Sequence, residues 1–147
     1  VRRLPAVLAA VSVLAGQPGQ KAEYIGGTLP GIEKVAGTIL LTDGHAFRFT
    51  ARKIAIEIPY DRINLLEYGQ KVDRRYVTAI VLSPLFLLSK KRAHFLTVGY
   101  TDEQGRQQAA VFRVDKNDIR TVLVSLEART GQRVQHQDDE ARKRGKG

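Results

Sequence analysis

The chain has 147 residues, 43% of them hydrophobic and 27% charged, and it contains no cysteine. That length fits one domain with short tails, and the missing cysteine excludes a disulfide framework, a thiolate metal site and a cysteine nucleophile. A formal net charge of +9 favours an acidic partner such as anionic lipid, an acidic protein or nucleic acid.

At the N-terminus, Arg2 and Arg3 precede an apolar stretch over residues 4–15, and Gly16, Gln17, Pro18 and Gly19 follow. A positive start, a short apolar stretch and then small residues is the layout of a secretory signal. About a dozen apolar residues fall short of the roughly 20 that a spanning helix needs. Residues 1–19 are therefore expected to be a cleaved export signal, and the mature chain to be periplasmic or secreted. A first core helix is the alternative. Gln17 stands where a lipidated cysteine would follow Leu14, Ala15 and Gly16, which excludes lipidation there.

The body reads as strands. Residues 23–28 form a first one, and Pro30-Gly31 punctuates the loop after it. Residues 37–42 and 45–50 flank Asp43-Gly44, the signal of a tight hairpin, because glycine accepts positive φ at no steric cost. In the second of these runs Phe47 and Phe49 share one face and Arg48 takes the other. Ile54, Ile56 and Ile58 line one side of the next strand, with Glu57 opposite and Pro59 as its stop. Residues 61–68 begin another, with Ile63 and Leu65 inward. Two further strands, 94–101 and 107–114, flank a hairpin loop with a permissive Gly105. Then the period changes: Ile119, Val122, Leu123 and Leu126 recur at helical spacing over residues 116–130. Asp115 and Asp118 suggest a capping-box start, and Gly131 sits where a left-handed helix end favours glycine. Residues 132–147 are polar, end in a basic cluster and are expected to be a disordered tail.

Strand-rich sequence closed by one helix is the element order of pleckstrin-homology-like and GRAM-like domains. The wording of residues 37–49 followed by Ile56-Glu57-Ile58-Pro59-Tyr60-Asp61-Arg62-Ile63 resembles the hairpin and following strand of those domains. Tyr24-Ile25-Gly26-Gly27-Thr28, Glu67-Tyr68-Gly69-Gln70-Lys71, residues 89–97 and residues 126–131 resemble a family of small exported bacterial proteins with no assigned chemistry. The resemblance implies a mainly β domain over residues 20–131, a seven-stranded barrel or pair of orthogonal sheets capped by the helix. It supplies no activity and no cofactor.

The strongest contact candidate is the apolar run of residues 77–88, bracketed by Arg74 and Arg75 on one side and Lys90, Lys91 and Arg92 on the other. Two readings stay open. The run is a buried strand with a turn at Pro84, as short apolar runs usually are. Otherwise Leu85, Phe86 and Leu87 dip into a bilayer while the flanking cations hold anionic headgroups. The basic residues 142–146 could likewise hold an acidic surface. Nucleic-acid binding would call for aromatics interleaved with cations, and no such motif is present. His45, His94 and His136 lack metal-ligand spacing, and Ser83 and Ser89 lack a nucleophile-elbow context. A hydrolase would need a pocket joining His94 to a carboxylate. The expectation is a non-enzymatic exported module without metal or cofactor that binds a protein partner. Peripheral attachment to an anionic membrane is the alternative, and a small-molecule substrate has no support.

Overall fold

The computed structural model describes residues 19–70, 81–82 and 93–136. In chain order the elements are β1 (Gln20–Gly27), β2 (Val35–Leu40), β3 (Ala46–Ala51), β4 (Ala55–Pro59), a 3-10 turn (Tyr60–Arg62), β5 (Ile63–Gly69), β6 (Val81–Leu82), β7 (His94–Thr101), β8 (Gln107–Val114), α1 (Ile119–Thr130) and β9 (Gln135–His136). The protein is mainly β with one C-terminal helix among the described residues. The strands make one sheet in the order β4-β3-β2-β1-β8-β7-β5-β9, with β6 on β1. Every pairing is antiparallel except β5 with β9. Against the expected seven strands, nine are present among the described residues, because two-residue ladders at β6 and β9 carry no period a sequence can display. The expected closed barrel is also corrected. Among the described residues no ladder joins β4 to β5 or β9, so the sheet stays open.

Alternation in β8 explains why the centre of this sheet is buried on both sides. Ala110, Phe112 and Val114 face the main core, while Ala109 and Val111 join Ile25 and Phe95 in a second apolar cluster. A strand covered on both faces reads as a continuous apolar run, and residues 109–112 do. In the main core the Phe112 ring meets Phe49 at 5.2 Å, Phe47 at 5.3 Å and Tyr24 edge-on at 5.7 Å. Ile119, Val122 and Leu126 of α1 are buried in the same cluster.

Several local expectations change. The β2–β3 connection is wide: its last paired residues are Leu40 and Arg48, and Gly44 is not among the glycines with positive φ. The Asp43 carboxylate accepts the His45 N–H at 2.8 Å, a side-chain turn that competes with the two-residue one. Leu66, not Leu65, joins Ile63 in the core, since a register shift between Ile63 and Leu65 turns the strand over. The helix starts at Ile119 rather than residue 116, and Asp118 makes no side-chain cap. Its carboxylate instead accepts the backbone N–H of Lys21 at 2.9 Å, tying α1 to the first strand. Gly131 ends the helix in the expected left-handed conformation, φ 71°. Beyond it the chain stays packed, with Val134 buried and Gln135–His136 alongside β5. The fold therefore continues past residue 131.

Phe112 is fully buried and meets three aromatic rings. Phe112→Ala is expected to lower unfolding free energy by about 3–5 kcal/mol, read from urea denaturation. A loss below about 1 kcal/mol would contradict this packing.

Candidate functional site

The expected contact residues Arg74, Arg75, Leu85, Phe86, Leu87, Lys90, Lys91 and Arg92 lie outside the described residues, as do residues 1–18 of the expected export signal and the basic cluster at 142–146. The centre of the apolar run does not. Val81 and Leu82 pair antiparallel with Gly27 and Gly26 of β1. β1 therefore divides one edge between two partners, β2 along residues 20–24 and β6 at its end. A register shift between Tyr24 and Gly26 marks the changeover. Gly27 allows a close approach there: a Cβ at that position would lie 2.5 Å from the Ala109 carbonyl oxygen and 2.7 Å from the Tyr24 hydroxyl. Burial, with Tyr100 adding to it, pushes that hydroxyl up to about 12.

Toward the other end of β1 is a cleft bordered by Lys21, Glu23, His94, Arg113, Asp115 and Lys116. It does join His94 to carboxylates, the arrangement that a hydrolase reading would require. Those groups are committed elsewhere, however. Glu23 pairs with Lys34 at 3.2 Å and Arg113 at 3.3 Å, and Asp115 accepts the Asn117 N–H at 2.9 Å. Nδ1 of His94 is 2.8 Å from the Tyr68 hydroxyl. Among the described residues no serine or threonine borders the cleft. Its chemistry is that of a charged recess.

Folding brings together two histidines that the sequence holds far apart. The His94 ring stacks on Tyr68 at 5.9 Å and the His136 ring meets the same tyrosine edge-on at 5.6 Å. Nothing in their spacing signals this, because β7 reaches Tyr68 through the sheet and β9 reaches it by a turn after the helix. His136, Tyr68, Val134, Leu123 and Val124 then border a groove between α1 and the sheet. Glu127 shapes its floor by accepting the Val134 N–H at 3.2 Å. At the far end of the helix, the Arg129 guanidinium lies 5.8 Å above the Tyr60 ring and donates to the Asp43 carbonyl at 3.3 Å. Burial raises the Tyr60 hydroxyl, and Arg129 opposes that rise. Among the described residues no three His, Asp or Glu side chains gather as a metal site, and no helix is long and apolar enough to cross a membrane.

The open edge of β4 has a readable polarity. Tyr60 N–H donates to the His45 carbonyl and Ala51 N–H to the Ile54 carbonyl, both at 2.9 Å. Antiparallel pairs alternate between hydrogen-bonded and not, so Ile56 and Ile58 bond inward to β3. Ala55 and Glu57 consequently aim their N–H and C=O groups away from the sheet, and Pro59 offers a carbonyl alone. The edge strand thus offers two donors to a partner and ends in a residue that blunts further pairing.

The chain matches no protein-family model and no curated protein.

Among the described residues, the carboxyl held furthest below its ordinary value lies in the β7–β8 loop. The Asp102 carboxylate accepts Gln108 Nε2 and Arg106 N–H, both at 2.8 Å, and Gln104 N–H at 2.9 Å. These bonds, Gln108 foremost, hold its carboxyl down to about 2, against an ordinary 3.8. The native state therefore keeps this group ionised where an unfolded chain takes up the proton. Its contribution is complete above about pH 4 and is lost as pH falls from there through about 2. Asp102→Asn is expected to flatten the stability curve within that window, measured as urea midpoints against pH. An unchanged slope would show that other groups set the acid limb.

Proposed function

We propose that this chain is an exported, non-enzymatic interaction module organised as a pleckstrin-homology-like domain. Export rests on the layout of residues 1–19. The pleckstrin-like organisation is supported by the strand order. β1 to β4 form one meander and β5, β7 and β8 a second, joined where β1 pairs with β8, with α1 against the common core. The observation that carries the reading is the edge of β4 that pairs with no strand among the described residues, where Ala55 and Glu57 direct backbone groups outward. An extended segment of a partner protein adds to that edge through main-chain hydrogen bonds. Specificity comes from what flanks it: Arg48 reaches Glu57 at 3.3 Å and Asp43 at 3.0 Å on the exposed face. Glu57→Pro removes one outward donor without touching the ladder to β3. It is expected to abolish recovery of partners from an envelope extract while leaving the protein folded, whereas Ile56→Pro breaks the ladder and unfolds it. Equal recovery by wild type and Glu57→Pro would refute strand addition.

A second reading, attachment to an anionic membrane surface, is favoured by the distribution of charge. Acids and bases nearly balance among the described residues, so most of the +9 lies elsewhere. Lys71, Arg74, Arg75, Lys90, Lys91 and Arg92 stand against one acid, Asp73, on either side of a run whose centre is tethered to β1. Each cation near such a surface contributes about 1 kcal/mol, screened by salt. The expected result is sedimentation with anionic vesicles at low salt and release as salt rises. Failure to sediment with them would eliminate this reading.

A further inference from the structure

The outward face of α1 departs from the usual pattern of a surface helix. Ile119, Val122 and Leu126 enter the core, and the opposite face should carry charge. It carries Thr121, Val124 and Ala128 instead, all exposed. Val124 is 59% exposed and is the large hydrophobic side chain left in solvent among the described residues. The two charged residues that border it are Arg120 and Glu127. Seven residues separate them, about 10.5 Å along the axis at 1.5 Å per residue, so they cannot pair with each other. Arg120 has no ion pair among the described residues, and Glu127 uses one carboxylate oxygen on the Val134 N–H.

The midpoint of Arg120 and Glu127 is also the midpoint of Leu123 and Val124. Opposite charges on either side of the exposed Val124 make this face complementary to a second copy of itself. We propose that α1 is a self-association surface on which a second copy of this chain docks antiparallel, about a two-fold axis passing between Leu123 and Val124. A two-fold contact repeats every pair reciprocally. Arg120 of each copy then meets Glu127 of the other, while the Val124 side chains cover one another at the centre. The same axis sets Lys116 against Gly131 and Asn117 against Thr130, so no like charges meet. A parallel arrangement would oppose Arg120 to Arg120. A membrane would have to accept Glu127 at the edge of its apolar contact. Antiparallel helix dipoles add a small favourable term. A helix of 12 residues covers less than the about 1,200 Å² of total buried surface typical of a stable complex. The dimer is therefore weak, reversible and salt-sensitive. This surface is separate from the β4 edge, so either can fail without the other.

Sedimentation velocity of the full chain over a concentration series at low salt tests the proposal. Wild type is expected to pass from monomer to dimer as concentration rises. Arg120→Glu or Glu127→Arg alone turns both reciprocal pairs into like-charge contacts and should raise the dissociation constant at least about tenfold. The double variant, Arg120→Glu with Glu127→Arg, should restore it to within about threefold of wild type. Val124→Asp should leave the chain monomeric with an unchanged melting curve by circular dichroism, since that side chain lies in solvent. A chain that stays monomeric throughout overturns the proposal. So does a dimer indifferent to the single reversals, or one that the double reversal fails to restore.

Discussion

The pairing of β1 with β8 is the constraint on which the rest of this structure depends. It joins the β1–β4 meander to the β5–β7–β8 one, and it sets Tyr24 beside Phe112 in register. From that position Phe112 reaches Phe47 and Phe49, which sit three strands away in the sheet order. A sheet can bring such distant strands to one ring only by curving around it. The helix then covers the concave side through Val122 and Leu126, both fully buried. Aromatic rings bury large areas and prefer edge-on or tilted contacts, which is the geometry all three partners adopt.

Burial on the second face has functional consequences. Ile25, Phe95 and Val111 are as buried as core residues although they point away from the main core. Glu67 and Thr97, paired across β5 and β7 on the same side, are buried as well. The outer side of the central strands is therefore not an open binding face. Among the described residues the accessible features are peripheral: the outer edge of β4, the outward face of α1 and the charged recess beside His94.

Legibility in the sequence followed locality. β7 and β8 lie where alternation and Gly105 place them, because a hairpin depends on neighbours a few residues apart. The Phe47–Phe49 face and the helical stripe of Ile119, Val122 and Leu126 were equally readable. The failures come where a distant group outbids a local one. Lys21, on a strand nearly a hundred residues away, takes the Asp118 carboxylate that local pattern assigns to a cap. Asp43 bonds its own neighbour and widens a turn that Asp-Gly would tighten. At β5 a bulge reverses the faces, and no bulge is visible in a two-residue period. The apolar run at 77–88 was legible as a feature but not as a choice between strand and wedge; its described residues, Val81 and Leu82, pair with β1.

By itself the sequence determined a cysteine-free, basic, mainly β chain with a C-terminal helix, since composition, alternation and helical spacing are properties of short windows. Only the tertiary structure decided that Tyr68 gathers His94 and His136, that β1 serves two neighbours along one edge, and that β4, among the described residues, has a partner on one side alone. Each of these depends on which strands lie side by side, and that is set by long-range ladders closing over a shared core.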